Sequence, residues 1–263
     1  MSAALRCYRL RGGAVEQALD LLHVHADVAG VLEGEGEATV WLHDAMPDLE
    51  VAGLAVEELH DERMHAAASG LEQDRVIVVA PDLVVRPPWV APLEGFRGVE
   101  LVVPRADAFG SGEHGSTRAA LLNLHALWDS RARSLADIGT GSGILAAYGA
   151  ARGCPVVRGC DIDPVAVQRA RELLPDAHMV VGGADALPGS ADSVVANMTG
   201  TELTGSLDAI LAGWNGSGIL VLSGMRAHEV GPIVARLPAL PVRTVEVDGY
   251  HSVALGPLSA CQA

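Results

Sequence analysis

The chain has 263 residues, of which 49% are hydrophobic and 19% charged, so it can bury a sizeable core and does not belong to the disordered class. Its formal net charge of −15 repels phosphate backbones, which argues against direct nucleic-acid binding and suits a basic protein partner. No apolar run approaches the roughly 18 residues of a membrane span, and the N-terminus lacks the apolar core of a signal peptide. We therefore expect a soluble cytoplasmic protein whose four cysteines stay reduced.

The first part of the chain predicts a small α+β domain over residues 1–85. Its predicted strands are Leu5–Leu10, Val28–Leu32, Thr39–Leu42 and Arg75–Ala80, and its predicted helices are Ala14–Ala26 and Val56–Leu71. The order β-α-β-β-α-β is typical of a split βαβ arrangement. Residues 86–98 are predicted to be a linker, because Pro87, Pro88 and Pro92 stiffen the chain there.

From Val99 onward strands and helices alternate, so residues 99–263 are predicted to form a larger domain of the α/β class. The predicted strands are Ser134–Ile138, Val156–Cys160, Ala177–Val181, Ser193–Ala196, Gly218–Leu222, Val242–Val247 and Ser252–Leu255. The predicted helices are Ser116–Trp128, Gly143–Arg152, Pro164–Leu174, Thr201–Gly213 and Ala227–Leu237. Such alternation implies a parallel sheet with helices on both faces, and the last two strands predict an antiparallel edge hairpin.

A glycine-rich turn, D-I-G-T-G-S-G at Asp137–Gly143, follows the first strand of this domain. Glycines allow the backbone to take φ > 0 and to approach a ligand closely. A dinucleotide fingerprint needs a third glycine where this chain has Ile144, so the spacing does not fit it. The acid at Asp137 could meet a cationic amino group, directly or through water. The pattern therefore favours S-adenosylmethionine, which carries no pyrophosphate, and a plain tight turn is the alternative.

Asp161 ends the next predicted strand, about 20 residues further on, where an acid commonly accepts hydrogen bonds from both ribose hydroxyls. Ile162 beside it is assigned to the same ligand site. Asp163 and Pro164 instead fit the N-cap and the first position of the following helix. Asp185, after the third strand, either contacts an adenine amino group or is an ordinary loop aspartate.

Asn197 lies directly after Val-Val-Ala at the tip of the fourth predicted strand. Its side-chain carbonyl could accept a hydrogen bond from an amine substrate and so aim the nitrogen lone pair at a methyl donor. Alternatively, Asn197 only stabilises the turn that follows the strand. A glycine-rich loop at Asp107–Thr117 is predicted to lie over the same sheet edge, although Ser116 could simply cap the next helix.

Several motifs occur in the same order in the PrmA-type methyltransferases of large-subunit ribosomal protein eleven, which this chain resembles. The family patterns are A-F-G-T-G-x-H-x-T-T, D-x-G-T/C-G-S-G-I/V-L-A, D-I-D-P, V-V-A-N and L-L-S-G. The corresponding segments of this chain are Ala108–Thr117, Asp137–Ala146, Asp161–Pro164, Val194–Asn197 and Leu220–Gly224.

The resemblance implies a small substrate-recognition domain, a linker and a Rossmann-like class I methyltransferase domain with a mostly parallel seven-stranded sheet. It implies an S-adenosylmethionine-dependent N-methyltransferase that acts on amino groups of a ribosomal protein, with His114 and Thr117 contacting the cofactor. Two alternatives stay open: a methyltransferase of a small-molecule amine, and a non-catalytic cofactor-binding scaffold. Substrate identity is open because Met198 replaces the family's Ile or Leu after the asparagine and the N-terminal residues match no motif.

The predicted site contains one catalytic residue, Asn197, and no metal ligand. The residues predicted to bind the cofactor are Phe109, His114, Thr117, Asp137, Gly139, Thr140, Gly141, Gly143, Asp161, Ile162, Asp185 and Asn197.

Overall fold

The computed structural model describes residues 6–26, 28–34, 36–42, 45–49, 51–59, 76–104 and 112–258. These residues fall into two compact units, a smaller one within residues 1–74 and a larger one that begins at Arg75. Each unit has its own hydrophobic core.

The smaller unit is a four-stranded antiparallel sheet with one described helix. Its elements are β1 (Arg6–Arg11), α1 (Val15–His25), β2 (Val28–Gly34), β3 (Glu37–Leu42) and β4 (Ala55–Leu59). The strand order is β2-β3-β1-β4. Strand β3 lies between β1 and β2 and is antiparallel to both, so β1-α1-β2 forms the split βαβ unit that the sequence predicts.

Apolar side chains alternate along the strands, so that one face of this sheet is apolar and packs against α1. Leu10 and Val40 are fully buried, and they share a core with Ala18 and Leu22 of the helix. A helix with apolar residues at this spacing buries one stripe against a sheet, which explains why these short elements hold together.

The predicted helix Val56–Leu71 is wrong over its described part, because Ala55–Leu59 forms strand β4. This strand pairs with β1 along its whole length. Glu57 is within 4 Å of Arg9 and Arg11 across the sheet, so cross-strand pairs of opposite charge favour the extended chain over a helix. Residues 60–71 of that prediction lie outside the described residues.

A three-stranded sheet opens the larger unit, where the sequence analysis placed the end of the small domain and a linker. Its strands are β5 (Ile77–Ala80), β6 (Leu83–Arg86) and β7 (Val99–Val102), in the order β5-β6-β7. Strands β6 and β7 are parallel, and Leu83, Val85 and Leu101 are buried in the core of the larger unit. The observed division therefore falls near residue 75 and not at residue 85.

The proline-rich stretch between β6 and β7 is folded back on itself by Arg86. The buried guanidinium donates to Oε1 of Glu100 at 2.7 Å and to the carbonyl oxygen of Val90 at 2.7 Å. Charge-assisted hydrogen bonds of this kind fix a loop, so this stretch connects two strands of one sheet. The predicted linker between two domains, at residues 86–98, is therefore a loop within the larger unit.

The centre of the larger unit is a seven-stranded sheet. Its strands are β8 (Ser134–Ile138), β9 (Val156–Asp161), β10 (His178–Val181), β11 (Ser193–Asn197), β12 (Leu220–Met225), β13 (Arg243–Val247) and β14 (Tyr250–Leu255). Its helices are α2 (Gly115–Leu127), α3 (Ile144–Ala151), α4 (Pro164–Leu173), α5 (Gly200–Ala212) and α6 (Ala227–Val234), with a short 3-10 helix at Ala184–Ala186. The strand order is β10-β9-β8-β11-β12-β14-β13.

All neighbouring strands from β10 to β12 are parallel, whereas β14 is antiparallel to both β12 and β13. The predicted terminal hairpin is thereby confirmed. Buried residues alternate along the strands, so that Leu135 and Val195 pack under α2 and α3 while Ala136 and Val194 pack under α5. Helices on both faces confirm the predicted α/β class and its mostly parallel seven-stranded sheet.

Local sequence signals explain where the helices begin. Asp163 caps α4 by accepting a hydrogen bond from the amide of Val165 at 2.8 Å, and Pro164 occupies the first turn. Thr199 and Glu202 form a capping box at the start of α5. None of the helices in the described ranges is long and apolar enough to cross a membrane.

Candidate functional site

The candidate site lies at the carboxyl ends of β8 and β11, where the order of the sheet changes direction. The chain passes from β8 to β9 and β10 on one side, and β11 and β12 lie on the other. Open parallel sheets bind ligands in the crevice at this switch point. Asp137 and Asn197 stand near the tips of these two strands, and Asp161 ends the neighbouring β9. The fold therefore brings together three residues that the sequence analysis singled out.

Asp137 is fully buried and holds the glycine-rich turn together from inside. Its Oδ2 accepts a hydrogen bond from Oγ1 of Thr140 at 2.8 Å and another from the amide of Ala146 at 3.0 Å. Its Oδ1 is buried and has no hydrogen-bond partner among the described residues. Burial raises the pKa of this carboxyl to about 7, the two hydrogen bonds oppose the rise, and the Asp161 carboxylate adds to it.

The glycines of the turn are required by its backbone. Gly139 has φ 68° and Gly143 has φ 83°, in the left-handed region that side chains disfavour. A Cβ on Gly139 would lie 3.1 Å from Cγ of Met198, and a Cβ on Gly143 would lie 3.2 Å from Ala170. A side chain at either position would therefore be both strained and crowded.

The amides of this turn are already used by the protein. Gly139 and Thr140 both donate to the carbonyl oxygen of Cys160 at 2.9 Å, Gly143 donates to that of Thr140, and Gly141 donates to Oδ2 of Asp161. A phosphate group bound at a helix N-terminus needs unpaired amides. These four amides are therefore not available to a phosphate group.

Asp161 connects the turn to the next helix, and its carboxylate oxygens can still accept further hydrogen bonds. Oδ2 accepts from Gly141 at 2.9 Å and Oδ1 from the amide of Asp163 at 3.0 Å. Each carboxylate oxygen has a second lone pair, and the residue is only partly buried. Two hydroxyl donors from a ligand can still be accommodated, as predicted for a ribose.

Exposed apolar side chains lie beside Asp161. Ile162 is 76% exposed, and Val181, which pairs with Asp161 across β9 and β10, is 51% exposed. Asp185 is exposed in the short 3-10 helix that follows β10. An apolar surface bordered by a carboxylate suits a planar heterocycle with an amino group.

Asn197 is oriented by Thr117. The Asn197 side-chain amide donates to Oγ1 of Thr117 at 3.3 Å, and its Oδ1 is buried with no hydrogen-bond partner in the described part of the chain. Thr117 and Thr140 are themselves buried, so their side chains hold neighbours in place. His114 caps α2 by accepting from the amide of Ser116 at 3.4 Å. Phe109 lies outside the described residues.

Two serines that the sequence analysis did not assign to the site anchor α2 on the sheet. Oγ of Ser223 donates to the carbonyl oxygen of Ser116 at 2.8 Å, and Oγ of Ser252 accepts from the side-chain amide of Asn123 at 2.9 Å. Both serines are fully buried. A serine next to buried apolar residues could have indicated such an anchor in the sequence, since buried hydroxyl groups are almost always hydrogen-bonded.

The donor set does not resemble a metal centre. The described residues contain no group of three or more histidine, cysteine or acidic side chains placed to hold a metal ion. Oδ1 of Asp137 and Oδ1 of Asn197 are instead buried acceptors that have no hydrogen-bond partner within the described ranges, and buried acceptors are normally paired with donors. A ligand with amino groups fits this arrangement.

The sequence is similar to one protein family along most of its length. A family model described as ribosomal protein L11 methyltransferase (PrmA) matches residues 47–240. The ribosomal protein L11 methyltransferase of Syntrophotalea carbinolica is 29% identical over 72% of this chain and 64% of its own length. That of Pelobacter propionicus is 34% identical over 56% of this chain and 51% of its own length. The chain thus spans less than two thirds of the length of these relatives.

A solved structure supports the fold. The ribosomal protein L11 methylase of Lactobacillus delbrueckii subsp. bulgaricus superposes with a TM-score of 0.60 at 21% identity, covering 68% of this chain and 95% of that chain. The family model covers well over half of the sequence, and it includes the glycine-rich turn, Asp161 and Asn197. The chain belongs to the ribosomal protein L11 methyltransferase family.

Proposed function

We propose that the protein is an S-adenosylmethionine-dependent N-methyltransferase whose substrate is a ribosomal protein. The observation that carries the proposal is the pair of buried acceptor oxygens on Asp137 and Asn197. They lie near the tips of adjacent strands, beside a turn in which four amides already donate to acceptors of the protein. Family membership and the names of the relatives support the same activity.

The residues present fit this cofactor, which supplies an electrophilic methyl group on a sulfonium. The Asp161 carboxylate would accept hydrogen bonds from the ribose hydroxyls, and Ile162 would cover the adenine, with Asp185 near its amino group. Oδ1 of Asp137 would accept from the ammonium group of the methionine part, directly or through water. The turn at Gly139 and Gly141 would lie along the ligand backbone.

Asn197 is proposed to hold the acceptor amine. Its Oδ1 has no described partner, and its amide nitrogen is occupied by Thr117, so the oxygen is free to accept from an N–H of the substrate. Transfer of the methyl group then depends on alignment of the nitrogen lone pair, without a covalent intermediate on the protein. The amine must lose its proton first, which burial in the site favours.

Charge supports a basic protein as the acceptor. Residues 1–74 contain 15 acidic residues against four arginines, so this segment carries a net charge of −11 out of the total of −15. Opposite charge steers a basic protein toward an acidic partner. Action on a ribosomal protein would take place in the cytoplasm, and we propose that location.

The activity is tested with purified protein, radiolabelled cofactor and lysate of a bacterial strain that lacks its own enzyme of this family. We expect label in one ribosomal-protein band, and mass spectrometry to place the methyl groups on amino nitrogens. Label in small metabolites would instead indicate a small-molecule amine as the acceptor. Absence of both label and cofactor binding would contradict the proposal.

Replacement of Asp161 by alanine is expected to weaken binding of S-adenosylhomocysteine by about ten- to a hundredfold. Hydrogen bonds to a charged group contribute roughly 1.5–3 kcal/mol, and the variant loses those to the ribose. Isothermal titration calorimetry measures the change. Asp163→Ala is the matched control, because it removes a helix cap two residues away and should cost about 1 kcal/mol of stability without changing affinity. Equal affinities of Asp161→Ala and wild type would remove Asp161 from the site.

Ionic strength is expected to raise KM for the basic protein acceptor severalfold between about 0.05 M and about 0.5 M NaCl, because salt screens attraction between exposed charges. Steady-state kinetics with the purified ribosomal protein measures the change, and calorimetry of S-adenosylhomocysteine at the same salt concentrations is the control. A KM that does not respond to salt would show that the acidic N-terminal segment has no part in substrate capture.

A further inference from the structure

Three residues from distant parts of the chain meet beside the candidate site. His114 caps α2, Arg226 directly follows β12, and Tyr250 begins β14. Because β14 is antiparallel to β12, the start of β14 lies at the same edge of the sheet as the end of β12. This is the edge at which β11 ends in Asn197, so all three residues border the proposed reaction centre.

Tyr250 is held from two sides. The Cζ atom of Arg226 lies 3.8 Å from the centroid of the Tyr250 ring, and Nη2 of Arg226 donates to the Tyr250 hydroxyl at 2.8 Å. The ring centroid of His114 lies 4.3 Å from that of Tyr250, with an interplanar angle of 58°. A guanidinium is attracted to the negative face of an aromatic ring, so Arg226 fixes the ring that His114 contacts.

The hairpin that carries Tyr250 is seated tightly on the first turn of α2. A Cβ on Gly115 would lie only 2.5 Å from the carbonyl oxygen of Val247 and 3.2 Å from Cδ2 of Tyr250. Arg118 of the helix forms an ion pair with Asp248 in the hairpin turn. Because Gly115 has no side chain and Arg118 pairs with Asp248, the hairpin can approach α2 closely enough for the Tyr250 ring to contact His114.

His114 is also held from its other side. Its Nδ1 lies 2.8 Å from Oγ of Ser116, and one residue further Thr117 accepts the hydrogen bond from Asn197. His114 is therefore tied to the first turn of α2, the turn that also contains the residue that orients Asn197.

We propose that Tyr250 is a positioning residue for cofactor binding, because its ring, which Arg226 fixes, holds His114 in place. The proposal rests on the proposed function, because it takes His114 as part of the cofactor site on the ground that His114 caps the helix whose Thr117 orients Asn197. Tyr250 itself need not touch the cofactor. Its effect on affinity passes through His114.

A double-mutant cycle tests this path with S-adenosylhomocysteine, by calorimetry, without turnover. Tyr250→Leu is expected to bind about three- to tenfold more weakly than wild type, and Tyr250→Phe to stay within about twofold, because the phenyl ring keeps the contact with His114. His114→Ala should bind weakly, and adding Tyr250→Leu to it should weaken binding no further. Thr244→Ala, exposed on the same hairpin, is the control and should bind like wild type.

The possible outcomes separate the inference from the proposed function. Wild type that does not bind the probe would overturn the proposed function and the inference with it. Wild type that binds, with Tyr250→Leu equal to it, would overturn the inference alone, as would additive losses in the double mutant. If circular dichroism shows that Tyr250→Leu does not fold, the doubly substituted Tyr250→Phe/Arg226→Gln protein replaces it in the test. This protein should bind S-adenosylhomocysteine about two- to fivefold more weakly than wild type, because Arg226 no longer holds the ring of residue 250. Unchanged affinity would again overturn the inference.

Discussion

Asp137→Asn is expected to fold normally and to bind S-adenosylhomocysteine at least about tenfold more weakly than wild type. The amide oxygen of asparagine can replace Oδ2 and accept from Thr140 and Ala146, which keeps the turn closed. The amide nitrogen then takes the place of Oδ1, the buried acceptor that has no described partner. A donor in that position faces the ligand's ammonium group, so affinity falls although the fold survives.

The same substitution has a distinct pH signature in stability. The pKa of Asp137 in the folded protein is about 7, above the ordinary value of an aspartate. Between about pH 4 and 7 the folded carboxyl keeps its proton while the unfolded one ionises, so the unfolded state binds fewer protons. The contribution of Asp137 to the free energy of unfolding therefore falls as pH rises through this window, by roughly 4 kcal/mol, and levels off above it.

Asp137→Asn lacks this titration and should gain stability relative to wild type from pH 4 to pH 7. Urea unfolding at several pH values measures the difference, and Asp176→Asn, at an exposed carboxyl, is the control that should show no comparable trend. A variant that loses both affinity and stability would mean that the asparagine cannot close the turn. A variant that binds as wild type does would show that Oδ1 of Asp137 plays no part in ligand recognition.

Sequence reasoning located the elements of the larger sheet because their signals are local. The predicted strand Ser134–Ile138 is observed with the same bounds, and α4 begins at Pro164 after the Asp163 cap, as predicted. Buried parallel strands read as short apolar runs, and capping residues mark where helices begin, so neighbouring residues suffice to identify them.

Elements whose stability comes from distant partners were missed. Strands β6 and β7 enclose a proline-rich loop, and only the contact of Arg86 with Glu100 and the burial of Leu83 reveal that the loop is fixed. In the same way β4 owes its extended form to pairing with β1 and not to its own residues. Local patterns do not contain these long-range pairings.

The candidate site shows the same division. Asp137, Asp161 and Asn197 could be found from the sequence because each is a polar residue at or near the carboxyl end of an apolar strand. Their separate roles could not, because only the fold shows that Asp137 ties the turn from inside or that Thr117 orients Asn197. The pairing of Tyr250 with His114 joins residues more than a hundred positions apart and has no local signal.

Replacement of Asn197 by alanine is expected to lower kcat by about a hundredfold or more while affinity for S-adenosylhomocysteine changes by less than about threefold. The alanine cannot accept from the substrate N–H, so the amine is no longer aligned with the methyl group. Single-turnover kinetics with the protein acceptor, together with calorimetry, measures the two effects. Asn215→Ala is the matched control, since Asn215 precedes β12 and lies at the opposite edge of the sheet.

Asn197→Asp separates alignment from electrostatics. The carboxylate keeps an acceptor oxygen but adds a negative charge, which raises the pKa of an amine beside it and holds that amine in the unreactive protonated form. Activity should therefore be low at neutral pH and recover in part as pH rises, whereas Asn197→Ala stays low at every pH. If both variants instead lost affinity for S-adenosylhomocysteine and kept kcat, Asn197 would belong to the cofactor side of the site, and the acceptor amine would have to be held by another group at the same sheet edge.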